Sequence, residues 1–344
     1  MNLQQRVGML TALRDYMLSD AEDWQIAKNK AFAENNWFTT EFVNLAVRNI
    51  AENYLRKDKL QKIIDKYSLP EENTRPKKVG IVMAGNIPLV GFHDLLCSFL
   101  TGHYSVVKPS SKDEVLIKHL ITKITEWYPK AEPFFIVSEL LKKCDAYIAT
   151  GSNNTSRYFE YYFRNYPSLI RKNRTSVAIL TGKETLKELQ KLADDVHQYF
   201  GLGCRNVTKL YVPQNFDFVP LLEAFTKYSY FINHNKYKNN YDYNLAIHII
   251  NNRFYMTSGS LLLVEDQSDF SPISQLNYEY YANVEDVQKR LQSNDNIQCV
   301  VGRGNVPFGE AQCPGIIDFA DQVDTIKFLM NLHAEATHEE VRKR

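Results

Sequence analysis

The sequence predicts an α/β protein made of two doubly wound domains behind an N-terminal helical region. Three observations lead there. A chain of 344 residues exceeds one small core and suits two packed domains of roughly 100–200 residues each. From Leu3 to about Tyr67, apolar residues recur at helical spacing among charges, with no glycine between Gly8 and Gly80. Beyond Pro76, short apolar runs alternate with longer amphipathic stretches, the pattern of βα units on a parallel sheet covered on both faces.

Taken in order, residues 1–75 form the helical region, closed by Pro70 and by Arg75-Pro76-Lys77-Lys78. A buried strand begins at Val79-Gly80-Ile81-Val82-Met83-Ala84. Further strands are expected at Tyr104–Val107, Phe134–Val137 and Ala146–Ala149, with helices over Asp113–Trp127 and Thr155–Phe163. These make a first domain over 76–183. Val177–Leu180 reads as a strand and Glu184–Tyr199 as a helix, followed by Gly201-Leu202-Gly203-Cys204-Arg205 and a strand at Lys209–Val212. A second domain covers 184–325. His234–Asn244, rich in Asn, Lys and Tyr, reads as a solvated loop, and residues 326–344 as a tail that is exposed after Leu332.

A formal net charge of +1 leaves no bulk field to attract nucleic acid. Five cysteines, an odd number with no CxxC pair, argue against a disulfide framework and against a metal site. No apolar run approaches the roughly 18 residues of a membrane span, and the N-terminus lacks an apolar signal core. A cytoplasmic protein is expected.

Cys204 alone among the cysteines is flanked by glycine and followed by a cation, a setting that favours a thiolate; a buried structural cysteine is the other reading. Gly85-Asn86-Ile87-Pro88 follows the first strand, with Pro88 suited to a first helical turn. Asn86 is then either a helix N-cap or an amide donor to a developing oxyanion. Lys108-Pro109-Ser110-Ser111 ends the second strand, where a lysine can reach ribose or phosphate oxygens or simply face solvent. Thr150-Gly151-Ser152 opens a helix whose N–H groups suit a diphosphate. Neither GxGxxG nor a P-loop occurs. His93 and His197 read as structural rather than as acid–base groups.

In this order and at these separations, Gly85-Asn86-Ile87-Pro88, Val107-Lys108-Pro109-Ser110-Ser111, Thr150-Gly151-Ser152 and Gly203-Cys204-Arg205-Asn206 resemble the aldehyde dehydrogenase superfamily, and within it the acyl-CoA reductase branch. The resemblance runs from about Arg56 to Thr325. It implies an aldehyde dehydrogenase-like fold, with a dinucleotide-binding domain over 76–183 and a catalytic domain over 184–325. It also implies Cys204 as nucleophile, Asn86 as oxyanion donor, and Lys108, Ser110, Ser111, Gly151 and Ser152 around the cofactor. Ser111 stands where many NAD-preferring relatives place a glutamate, so NADPH is the expected cofactor. Two departures stand out: no second glycine follows Ser152, and the stretch matching the water-activating glutamate reads Arg171-Lys172-Asn173-Arg174-Thr175-Ser176.

The implied reaction passes an acyl group from acyl-CoA to Cys204 and then to an aldehyde by hydride transfer, with Arg171, Lys172 and Arg174 available to CoA phosphates or to solvent. An acyl donor protein, an acyl phosphate, or a binding subunit without turnover are the alternatives. A homo-oligomer is expected by resemblance.

Overall fold

The structure, a computed structural model, describes residues 1–332; the exposed tail expected beyond Leu332 lies outside the described residues. The chain divides into two compact units, Met1–Asn173 with the described residues from Pro314 on, and Arg174–Cys313.

Four helices open the first unit: α1 (Leu3–Met17), α2 (Glu22–Glu34), α3 (Thr40–Asn53) and α4 (Lys57–Tyr67). Asn2 and Gln5 form a capping box at the start of α1, satisfying two N–H groups that the helix leaves open. β1 (Lys78–Val82), α5 (Phe92–Leu100), β2 (Tyr104–Lys108), α6 (Glu114–Trp127), β3 (Phe135–Val137), β4 (Ala146–Thr150), α7 (Asn153–Phe163) and β5 (Ser168–Arg171) follow. The five strands are all parallel, in the order β3-β2-β1-β4-β5. The chain thus builds outward from β1 on one side, then returns to pair β4 on the other. That reversal is a topological switch point, and crevices at the carboxyl ends of such strands are where open α/β sheets take ligands.

The N-terminal helices are not a separate body. Leu3, Leu10 and Leu13 of α1 and Leu60 and Ile63 of α4 share one core with Val79, Ile81 and Val107 of the sheet.

The second unit begins at β6 (Thr175–Ile179) and continues through α8 (Leu186–His197), β7 (Val207–Pro213), α9 (Val219–Phe225), α10 (Asn235–Ile250), β8 (Met256–Thr257), β9 (Leu262–Glu265), β10 (Gln275–Tyr281), α11 (Val284–Gln292) and β11 (Ile297–Val301). Its sheet runs β11-β6-β7-β10-β9-β8, parallel except where β8 meets β9. The units divide at 173/174, ten residues before the boundary expected at 183/184, because β6 pairs with β7 and β11 of the second sheet.

Two expectations are overturned. The loop expected over His234–Asn244 is mostly helix: α10 buries Tyr237, Tyr241, Asn244 and His248, a helical stripe written in polar and aromatic residues. Residues 326–332 are not tail. They form most of α12 (Thr325–Asn331), which returns to the first unit and buries Ile326, Leu329 and Leu332 in its core.

Candidate functional site

In the first unit, the loops at the carboxyl ends of β1, β2 and β4 carry the residues singled out in the sequence. Asn86 is exposed in the turn after β1. The helix expected to start at Pro88 begins instead at Phe92, with Gly91 rather than Asn86 at its N-cap. The intervening chain cannot be helical because Leu89 takes φ 58°, a left-handed conformation that a side chain rarely adopts.

Asp113 holds that conformation. Its Oδ2 accepts the Leu89 N–H at 2.6 Å, while Oδ1 is buried with no partner among the described residues. Burial pushes this carboxyl well above the usual carboxylate range. The β1 and β2 loops also touch closely at Gly85, where a Cβ would lie 2.5 Å from Ser110 Oγ. Asp113 and Gly85 therefore fix Asn86 relative to Lys108, Ser110 and Ser111.

Lys108 ends β2, half-buried, and its ammonium has no hydrogen bond or ion pair among the described residues. A half-buried cation without a partner, at the edge of a switch point, suits an oxygen-rich ligand. Ser110 is half-buried and Ser111 exposed beside it. Across the switch point, Gly151 donates its N–H to Arg171 O at 3.3 Å, and Ser152 is the N-cap of α7, its Oγ accepting from Thr155 N at 3.3 Å. The donor set fits a dinucleotide, with Lys108 on the β2 side and the N-terminal end of α7 for phosphate charge.

Arg171 is not available to phosphates. It is buried in an ion pair with Asp94 and donates to Thr325 Oγ1 at 2.8 Å. Lys172 pairs with Glu160 at 2.9 Å on the surface, and Arg174 donates to Ile297 O at 3.3 Å within the second unit. His93 bonds the Ile316 carbonyl at 2.9 Å, the structural role expected of it.

In the second unit, Cys204 is half-buried in a turn between α8 and β7. Beyond His197 the chain leaves the helix through three consecutive left-handed residues, Tyr199 (φ 55°), Phe200 (φ 56°) and Gly201 (φ 75°). Glycine takes that conformation readily, whereas each of the two aromatics costs about 1–3 kcal/mol there. Asn206 N donates to Gly203 O at 3.0 Å and Gly203 N to Asn206 Oδ1 at 2.8 Å, closing the turn from both sides. From β6, the buried Ser176 hydroxyl donates to the Cys204 carbonyl at 3.1 Å.

The same hydroxyl lies 3.1 Å from Cys299 Sγ on β11, a contact in which either group can donate. Burial raises the Cys299 thiol, while Arg205 beside it pulls the other way. Arg205, the cation that follows Cys204 in the sequence, thus also acts on Cys299. His197 is sealed among Phe225, Tyr228 and Phe231, stacked on Tyr228 at 4.7 Å, with Nδ1 donating to Ala193 O at 2.8 Å. Burial depresses it to about 4, so it is neutral at physiological pH.

Asn206, Ser176 and Asp113 carry no signal of their own in the sequence. Asn206 stands in the Gly203–Asn206 segment, yet its role depends on carbonyls eight to eleven residues upstream. Asp113 precedes a helix and looks like an ordinary cap. The described residues include all five cysteines, and none is in a disulfide. Among them, no helix is long and apolar enough to cross a membrane.

Residues 60–220 match the family described as acyl-CoA reductase (LuxC). Comparison with curated protein sequences gives no match. Among solved structures, the chain is similar to aldehyde dehydrogenase 21 from Physcomitrella patens in complex with succinate, at 12% identity and TM-score 0.69, covering 96% of this chain and 84% of that one. It is also similar to succinic semialdehyde dehydrogenase from Streptococcus pyogenes with NADP+, at 12% identity and TM-score 0.60, covering 87% and 76%. An aldehyde dehydrogenase from Mycobacterium tuberculosis with NAD+ is similar at 14% identity and TM-score 0.59, covering 83% and 70%. At such identities the likeness concerns the fold.

Proposed function

We propose that this chain is a LuxC-like member of the aldehyde dehydrogenase superfamily and acts as an NADPH-dependent acyl-CoA reductase that carries its acyl group on Cys204. One observation carries the reading: the segment matched to acyl-CoA reductases contains Asn86, Lys108, Gly151, Ser152 and Cys204 together.

The Cys204 thiolate attacks the acyl-CoA carbonyl, the C–S bond to CoA breaks, and the CoA thiol leaves a thioester on the protein. Asn86 supplies an amide donor for the oxyanion. Lys108, Ser110 and Ser111 hold the adenosine side of the cofactor, and Gly151 and Ser152 its diphosphate. NADPH, when bound, supplies the hydride. No carboxylate lies between Arg171 and Ser176 to activate water, Glu160 is paired with Lys172, and His197 is sealed in its aromatic box. A positioned general base is worth about 10²–10⁴-fold in rate, so the thioester outlives attack by water.

A cytoplasmic setting and a homo-oligomer belong to the same reading. The lack of disulfides among five cysteines supports the first, and light scattering on the purified protein checks the second.

Intact-protein mass spectrometry tests the chemistry. Incubation with a long-chain acyl-CoA and no cofactor adds one acyl mass to the parent and none to Cys204→Ala. The isolated acyl-protein then loses its acyl group slowly in buffer, as acid, and rapidly with NADPH, as aldehyde. Full acylation of the alanine variant, or fast acid release in buffer, would overturn the reading.

A further inference from the structure

We propose that Asn206 is the positioning residue for the nucleophile, tying the carbonyl end of α8 to the Cys204 turn and blunting that end's negative charge near the thiolate. The inference rests on the reading of Cys204 as nucleophile.

A helix leaves its last carbonyls without intrahelical partners. Beyond Gln198, whose N–H returns to Asp194 O, the chain turns away into the left-handed run Tyr199–Gly201. Asn206 reaches the carbonyls that follow Asp194. Its Nδ2 donates to Gln198 O at 2.8 Å, Asp195 O at 3.1 Å and Val196 O at 3.3 Å, while Oδ1 takes the Gly203 N–H. The side chain is fully buried, and both ends of its amide are used.

These contacts join two things that matter to a thiolate. A helix C-terminus carries roughly half a negative charge, and a thiolate is disfavoured near one. Cys204 sits two residues from Asn206, in the turn that Asn206 closes. The charged groups of the neighbouring elements have contacts of their own. Arg205 lies against Cys299 on β11. Asp194 pairs with Lys227 and Tyr228. Asp195 accepts from Gly309 N and Ala311 N and is raised to about 7 by burial. His197 is neutral, and Cys299 and Cys313 are raised by burial, with Glu310 near Asp195 and Cys313. The Asn206 amide both shapes the turn and offsets the carbonyl charge.

The test is the pH profile of iodoacetamide alkylation at Cys204, read by peptide mass spectrometry on the full chain from about pH 6 to about pH 10. In Asn206→Ala the profile moves to higher pH, and alkylation near neutrality slows by about 3- to 10-fold, the scale of a lost helix-end interaction. Asn206→Asp keeps the acceptor for Gly203 and sets a carboxylate against the carbonyls. It shifts the profile at least as far, and it serves if the alanine variant loses its melting transition. A folded variant of either kind that alkylates along the parent profile overturns the proposal and leaves Asn206 a purely structural residue. Alkylation needs no turnover, so the two readings fail separately: acylation of Cys204→Ala would sink the nucleophile assignment and leave the Asn206 shift standing.

Discussion

His197 gives a prediction with its magnitude written in the structure. Burial lowers this histidine from 6.5 to about 4. As pH falls below 6.5 the unfolded chain takes up a proton that the folded chain refuses, so the unfolded state binds more protons and folding weakens. The loss accumulates across the window from 6.5 down to about 4. With each pKa unit worth about 1.36 kcal/mol, moving from about pH 7.5 to about pH 5 removes about 2 kcal/mol through this side chain alone. His197→Phe keeps an aromatic ring against Tyr228 and has nothing to titrate. Urea unfolding of parent and variant at the two pH values isolates the effect, since Asp195 and every other group are common to both. The parent should lose about 2 kcal/mol more than the variant. Equal losses would show that His197 charges freely in the fold and that the aromatic box does not exclude water. The same variant should leave the lifetime of the acyl-protein in buffer unchanged.

Two further outcomes are expected. Asn86→Ala should slow acylation of Cys204 by roughly 10²–10³-fold if its amide meets the oxyanion; stopped-flow release of CoA measures it, and an unchanged rate removes Asn86 from the chemistry. Ser111→Glu places a carboxylate beside Lys108 and Ser110 and should move the ratio of kcat/KM values from NADPH towards NADH, by repulsion of a 2′-phosphate. A parent that prefers NADH, or a variant with an unmoved ratio, would refute that argument.

The sequence exposes what is periodic and hides what is tertiary. β1, β2, β4, β6 and β7 are buried parallel strands, and such strands appear as short, mostly apolar runs. β5 is a four-residue strand ending on Arg171, too short and too polar to stand out. α10 is hidden by its composition, since its buried face is built from Tyr237, Tyr241, Asn244 and His248 rather than aliphatics. At the candidate site, Cys204 is legible because glycine and a cation flank it, yet the direction of Arg205 is not, and it points to Cys299. The left-handed Leu89 is equally silent: nothing in Ile87-Pro88-Leu89 shows that Asp113, twenty-four residues on, captures its N–H.

α12 has a consequence for how the molecule is made. Asp324 at its N-cap accepts from the Tyr67 hydroxyl at 2.8 Å, Thr325 from Arg171 at 2.8 Å, and Leu329 O from His103 at 3.1 Å, while Ile326 and Leu329 fill the first unit's core. A ribosome delivers those residues only after the whole of Arg174–Cys313. At roughly 5–20 residues per second, the earlier-born unit waits on the order of ten seconds for its last piece. By the end of that interval the later-born unit, contiguous in the chain, has every residue it needs. Birth order and completion order are therefore reversed, and the apolar seat of α12 is the surface a nascent-chain chaperone would meet.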